Sequence, residues 1–166
     1  HELLFSHINT RGPDQKNINI YDNITFLFSR LAIVDLSDKG MQPMRSYSGR
    51  YFITFNGEIY NYDEIKLYLI SKSNIKIDTH SDTRILIESL EFFGFDILNM
   101  IRGMFSFALY DTVESKLFLI NDRFGEKPLY YSYDQNSLMF SSDIKSFIFR
   151  KNKISKASLV DLLSKN

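Results

Sequence analysis

The hydrophobic and polar positions divide the chain into short apolar runs separated by turn-forming residues. Residues 17–21 and 25–29 read as two short strands around the turn pair Asp22-Asn23. Arg30 follows directly, then the apolar run 31–36 and a loop over 37–49 that carries Gly40 and Pro43. Tyr51-Phe52-Ile53-Thr54-Phe55, rich in apolar and β-branched residues, reads as a strand running into Asn56-Gly57, which between apolar runs signals a turn. Asn61 is the expected N-cap of a helix extending to about Ile70, with Glu64 as its capping-box partner. Ser81-Asp82 opens a stronger helix, in which Ile85, Leu86, Leu90 and Phe93 recur at helical spacing and Gly94 supplies the stop. A short helix at 96–101 leads to strand pairs at 104–110 with 116–120 and at 129–133 with 137–141, and helical segments at 143–149 and 158–164 close the chain. Hairpins dominate over crossover connections, which predicts an α+β domain of antiparallel sheets covered by helices.

Composition narrows the class without altering that outline. A length of 166 residues suits one domain with a substantial core. Lys+Arg and Asp+Glu both number 20, so neither nucleic acid nor an anionic membrane is recruited by global charge. No apolar run reaches the length of a membrane span, and His1-Glu2-Leu3-Leu4 has no signal-peptide pattern. Cysteine is absent, which excludes a disulfide framework or thiolate metal site within these residues and makes a reducing cytosol the expected compartment. His1, His7 and His80 lack metal-ligand spacing, and no phosphate-binding glycine loop or internal repeat occurs. The chain opens at His1 without an initiator Met, so it is expected to be part of a longer protein.

Three places carry candidate chemistry. Asn56 offers an amide donor, Gly57 a backbone N–H that a ligand can approach closely, and Glu58 a carboxylate within two residues. An amide NH₂ beside a glycine N–H is one way to build an oxyanion hole; a plain hairpin turn is the other reading of the same residues. Arg30 beside an apolar run reads either as a rim residue with a snorkelling stem or as a planar fork for a carboxylate. Asp82, in the first turn of a helix, reads either as dipole and cap stabilisation or as a receiver for a ligand ammonium.

The segments Arg11-Gly12-Pro13-Asp14, Arg30-Leu31-Ala32-Ile33-Val34-Asp35-Leu36-Ser37, Gln42-Pro43-Met44, Phe55-Asn56-Gly57-Glu58-Ile59-Tyr60-Asn61, Ser81-Asp82-Thr83, Arg102-Gly103-Met104-Phe105 and Asp122-Arg123-Phe124-Gly125-Glu126-Lys127-Pro128-Leu129-Tyr130 occur in this order. Together they resemble the N-terminal glutaminase domain of glutamine-hydrolysing asparagine synthetases, a class II glutamine amidotransferase. The resemblance implies a four-layer αββα N-terminal-nucleophile hydrolase fold with two stacked antiparallel sheets. It implies a glutaminase domain over 1–150 and, over 151–166, the start of a connection to a C-terminal synthetase domain. It further implies hydrolysis of glutamine to glutamate and ammonia for an ATP-dependent synthetase: an N-terminal Cys attacks the side-chain amide, with its own α-amine as base. Carried over by position, Asn56 and the Gly57 N–H form the oxyanion hole. Arg30 binds the glutamine α-carboxylate, Asp82 and Glu58 hold the α-ammonium, and main-chain groups of Ile33 and Val34 line the pocket. No metal or cofactor is implied for this domain, ATP and Mg belong to the synthetase domain, and a homodimer is left open.

The pattern also has departures. The nucleophile motif Met-Cys-Gly-Ile is missing and no Cys elsewhere replaces it, so it is expected ahead of His1 unless the chain lacks a nucleophile altogether. Deleting a nucleophile costs on the order of 10⁶-fold in turnover in another hydrolase, so these residues alone are expected to be inert. Phe28-Ser29 replaces a basic or His-containing pair, and Arg84 stands where Glu is common. Two alternatives stay open: an amidotransferase acting on another carboxylate, such as a surface sugar, and a catalytically silent module of the same fold.

Overall fold

The computed structural model describes residues 15–30 and 40–148. Strands β1 (Gln15–Tyr21) and β2 (Ile24–Arg30) form an antiparallel hairpin, with Asp22 at a φ of 51° in the turn between them. A four-stranded antiparallel sheet follows in the order β3 (Met44–Arg45), β4 (Tyr51–Ile59), β5 (Gly103–Asp111), β6 (Lys116–Asn121). Between β4 and β5 lie helix α1 (Tyr62–Lys72), helix α2 (Asp82–Phe93) and a 3₁₀ turn (Gly94–Asn99). A second hairpin, β7 (Tyr130–Tyr133) with β8 (Leu138–Ser141), precedes a 3₁₀ turn at Ile144–Phe147.

Alternation along β4 sorts its side chains into two cores. Ile53, Phe55 and Ile59 pack with Phe107 and Leu109 of β5 against Ile65 and Leu69 of α1 and Ile85, Leu86, Ile87 and Leu90 of α2. Phe52 points to the other face, where it joins Ala108, Tyr110 and Phe26, and Tyr21, Ile24 and Phe140 of the two hairpins pack against that cluster. Tyr21 lies 5.1 Å from Phe52 and Phe26 lies 6.0 Å from Phe140, ring centre to ring centre. The central sheet is therefore covered by helices on one face and by the two hairpins on the other. Asn56 and Glu58 share the parity of Phe52, which places them on the hairpin face, and the end of β2 brings the Arg30 backbone into the same layer.

The turn expected at Asn56-Gly57 is not there. Both residues lie inside β4, paired with β5 in the register Asn56↔Ser106, Gly57↔Phe105 and Glu58↔Met104. An Asn-Gly hairpin turn needs positive φ at both residues, and here only Gly57 has one, at 151°. An ideal Cβ on Gly57 would collide with the Met104 carbonyl oxygen and sit 2.6 Å from the Phe105 Cα, so glycine serves close approach of two strands. Gly103, at the start of β5, has the mirror role: a Cβ there would collide with the Glu58 carbonyl oxygen.

Three further expectations are revised. The loop over 37–49 contains β3, which is short but pairs Met44 with Ile53. Asn61 is the N-cap residue of α1, yet its side chain makes no capping bond; instead its Oδ1 accepts from the Arg102 N–H at 2.8 Å and its Nδ2 donates to the Met100 carbonyl at 3.0 Å and to Glu64 at 3.2 Å. The helical segment at 143–149 is reduced to the 3₁₀ turn, and the one at 158–164 lies outside the described residues. The other helix holds to expectation: the Ser81 hydroxyl accepts from the Arg84 N–H at 3.3 Å and Gly94 ends it at a φ of 70°.

The charged turn after β6 is organised by one carboxylate. Asp122 is buried and accepts from the N–H groups of Phe105 (3.1 Å), Phe124 (2.9 Å), Glu126 (3.1 Å) and Lys127 (3.2 Å). Burial alone would raise its pKa, but the backbone bonds outweigh it and hold the group below the usual carboxylate range. The turn thereby closes over the start of β5, beside the residue paired with Gly57.

Candidate active site

Strand β3 begins only at Met44, opposite Ile53, so β4 runs on beyond Ile53 without a strand at that edge. In an antiparallel ladder every second N–H faces the same edge, and for β4 these belong to Ile53, Phe55, Gly57 and Ile59. The Phe55 N–H is taken by Gln42 Oε1 at 2.6 Å, and the Ile59 N–H by Asp82 Oδ2 at 3.2 Å. The Gly57 N–H lies between these two and has no side-chain acceptor of its own among the described residues. One residue before it, Asn56 Nδ2 is buried and has no hydrogen-bond partner among the described residues. A buried, unpaired amide costs about 1–3 kcal/mol, and here it stands next to a backbone N–H on the open edge of the strand, an arrangement able to offer two donors to one oxygen.

The anionic part of the site comes from two elements. Asp82 is fixed at the start of α2, where Oδ1 accepts from the Thr83 N–H at 2.7 Å while Oδ2 reaches across to β4. Burial pushes its pKa up, the bonds from Ile59 and Thr83 work against that rise, and the nearby charge of Glu58 adds to it. Glu58 is exposed on β4, two residues beyond Asn56 and on the same face. Two carboxylates so placed suit a cationic group, whose arrival would relieve their mutual repulsion.

The structure thus brings Asn56, Gly57, Glu58 and Asp82 together at one end of β4. For Arg30 it describes the backbone, which closes β2 opposite Gln15; the side chain lies outside what is described, as do Ile33 and Val34. Arg84 takes a structural place: Nη1 donates to the Arg45 carbonyl at 2.6 Å and to Glu88 at 2.7 Å, and the guanidinium lies 4.6 Å from the Tyr47 ring centre. It pins α2 to β3 and faces away from Asp82, which gives the departure at this position a packing explanation. Gln42 and Thr83 were not expected as neighbours of the site; the position of Gln42 just before Pro43 was the sole local hint, because its partners are distant in sequence. Among the described residues no group of three or more His, Asp or Glu gathers as metal ligands, and no helix is long and apolar enough to cross a membrane.

Known proteins share both the sequence pattern and the fold of this chain. The sequence model of the family described as "Glutamine amidotransferase domain" matches residues 2–166. Asparagine synthetase [glutamine-hydrolyzing] 2 of Bacillus subtilis is 41% identical over 139 residues, which cover 84% of this chain and 18% of that protein. Amidase chry2 of Gibberella zeae is 36% identical over 140 residues, covering 83% of this chain and 21% of that protein. The chain therefore spans about a fifth of the length of either relative. In structure it is similar to the glutamine phosphoribosylpyrophosphate amidotransferase of B. subtilis, with a TM-score of 0.62 at 21% identity over 74% of this chain and 28% of that one, a likeness of fold. That fold is the α+β N-terminal-nucleophile hydrolase architecture of antiparallel sheets and covering helices, and the chain belongs to the glutamine amidotransferase domain family.

Proposed function

We propose that this domain hydrolyses glutamine to glutamate and ammonia within a longer amidotransferase, in the simplest case an asparagine synthetase. The observation that carries this reading is the Asn56 Nδ2, unpaired among the described residues, beside the Gly57 N–H, with Glu58 on the same strand and Asp82 reaching that strand from the start of α2. Attack of a thiolate on the glutamine side-chain amide turns its carbonyl oxygen into an oxyanion. That oxygen takes the two donors, ammonia leaves, and water resolves the thioester. Asp82 and Glu58 hold the α-ammonium, Arg30 the α-carboxylate, and backbone groups of Ile33 and Val34 line the pocket. The nucleophile that this reading requires lies outside the 166 residues, which hold no cysteine. Ammonia passes to a synthetase domain on the same polypeptide that uses ATP and Mg. The acceptor is aspartate in the simplest case, although a relative named as an amidase keeps another acceptor open. The direct test is to supply glutamine to the full-length protein and follow glutamate and ammonia; no release of either sinks the proposal.

Two variants probe the binding half of the site. Arg30→Ala is expected to raise the KM for glutamine by at least about tenfold with a smaller change in kcat, since a fixed fork on the α-carboxylate serves ground and transition state alike. An unchanged KM removes Arg30 from the pocket. The raised pKa of Asp82 gives a pH signature. Its carboxylate holds an ammonium only when ionised, so glutamine affinity is expected to fall on acidification above the ordinary aspartate value of ~3.9. Calorimetric titrations over roughly pH 4 to 7 check this, and a flat affinity across that range refutes the role. The sign for folding is opposite. The folded protein binds the Asp82 proton more tightly than the unfolded chain does, so this group favours folding below ~3.9, and that contribution is lost as pH rises through the folded value.

A further inference from the structure

One buried side-chain amide, with its own main-chain carbonyl, links β4, α2 and β1 around the site. Gln42 is 6% exposed and sits in the stretch before β3. Its Oε1 accepts from the Phe55 N–H at 2.6 Å, in the peptide unit just ahead of Asn56. Its Nε2 donates to Thr83 Oγ1 at 3.3 Å, in the first turn of α2. Thr83 in turn gives its N–H to Asp82 Oδ1 at 2.7 Å, and Asp82 Oδ2 returns to β4 at the Ile59 N–H. The Gln42 main-chain carbonyl accepts from Asn17 Nδ2 at 3.1 Å, on the strand that pairs with β2 and so with the end that carries Arg30.

These bonds close a loop around one N–H that has no side-chain acceptor among the described residues. Phe55, Gly57 and Ile59 present successive N–H groups along the open edge of β4; Gln42 caps the first, Asp82 the third, and the Gln42 to Thr83 bond ties the two caps together. The middle group is the Gly57 N–H. A primary amide carries an acceptor and a donor on one planar end and so serves both sides, accepting from Phe55 and donating to Thr83. A carboxylate keeps the acceptor but loses the donor, and a thioether of similar length loses both.

We propose that Gln42 is a positioning residue for the candidate site: its amide locks β4 to the start of α2 so that the Gly57 N–H and Asn56 Nδ2 converge on one point. This rests on the glutaminase reading given above and adds to it the residue that sets the oxyanion geometry without touching substrate. Preorganised donors matter because a displacement of well under an ångström weakens a charge-assisted bond in the transition state more than in the ground state. The signature of such a role is therefore a loss in kcat with a smaller change in KM.

The test uses the full-length protein and two substitutions, Gln42→Met and Gln42→Glu, with glutamine turnover and backbone amide resonances read for each. Both variants are expected to lose at least tenfold in kcat. In a double-mutant cycle the loss on Gln42→Met shrinks to within about twofold in an Asn56→Ala background, because the donor pair is already broken. The Gly57 amide resonance shifts in Gln42→Met and shifts in Gln42→Glu even if the first variant folds poorly. An unchanged kcat in a folded variant, or losses that multiply in full across the cycle, overturns the positioning role. Wild-type protein that releases no ammonia overturns the glutaminase reading instead. In that case an unmoved Gly57 resonance in both variants rejects the positioning role, and a shifted one supports it.

Discussion

Replacing Asn56 by alanine in a full-length protein that carries the nucleophile is expected to lower glutamine turnover by ~10²–10³, equivalent to ~3–4 kcal/mol of transition-state stabilisation. The size follows from the environment. Asn56 Nδ2 is buried and unpaired, so an oxyanion reaching it would meet a donor with no competing acceptor and little water. The same fact sets the second half of the prediction. A buried amide without a partner costs the folded protein about 1–3 kcal/mol, so its removal is expected to leave the unfolding midpoint unchanged or raise it. Lower turnover with undiminished stability separates a residue kept for chemistry from one kept for packing. Steady-state kinetics together with urea unfolding read both quantities. Full activity in Asn56→Ala would remove the residue from the mechanism, and a large drop in stability would assign it to the core.

The second large effect is on the fold itself. Gly57→Ala retains the N–H on which the chemistry depends, yet it is expected to cost about 2–5 kcal/mol. The added Cβ meets backbone: the Met104 carbonyl oxygen and the Phe105 Cα at 2.6 Å, neither of which can rotate aside. A loss of that size is a large fraction of the 5–15 kcal/mol that ordinarily holds a domain folded. Gly94→Ala supplies the control. Gly94 also has a positive φ, 70°, but a Cβ there meets nothing within 4 Å, so only the conformational penalty of about 1 kcal/mol applies. Urea midpoints for the two variants decide the matter. Equal costs would mean that φ, and not the approach of β4 to β5, explains the glycine at position 57.

The two predictions divide a dipeptide that local reasoning treats as one signal. A turn-forming pair is a sound marker when the partner strand follows at once, as Asp22-Asn23 shows between β1 and β2. At Asn56-Gly57 the partner strand is β5, which arrives only after two helices, and pairing with it keeps the chain extended through Ile59. The helix opened by Ser81-Asp82 was legible because caps, apolar spacing and a glycine stop all act within a few residues. The capping role expected of Asn61 was overridden by the Arg102 backbone, again a partner brought in by tertiary contact.

What the amino-acid order determined by itself is the set of short strands other than β3, the two helices, the charges suited to a zwitterionic amino acid, and membership in a glutamine amidotransferase family. Period, turn chemistry and residue type are local properties, and they survive without knowledge of what packs where. Tertiary structure alone decided which N–H groups of β4 are capped by side chains and, among the described residues, that the Gly57 N–H has no such cap and the Asn56 amide is buried without a partner. Those outcomes depend on β3 starting no earlier than Met44 and on Gln42 and Asp82 arriving at the exposed edge from separate parts of the chain. A hydrogen bond left unmade is the sum of all the contacts around it, and no short stretch of sequence contains that sum.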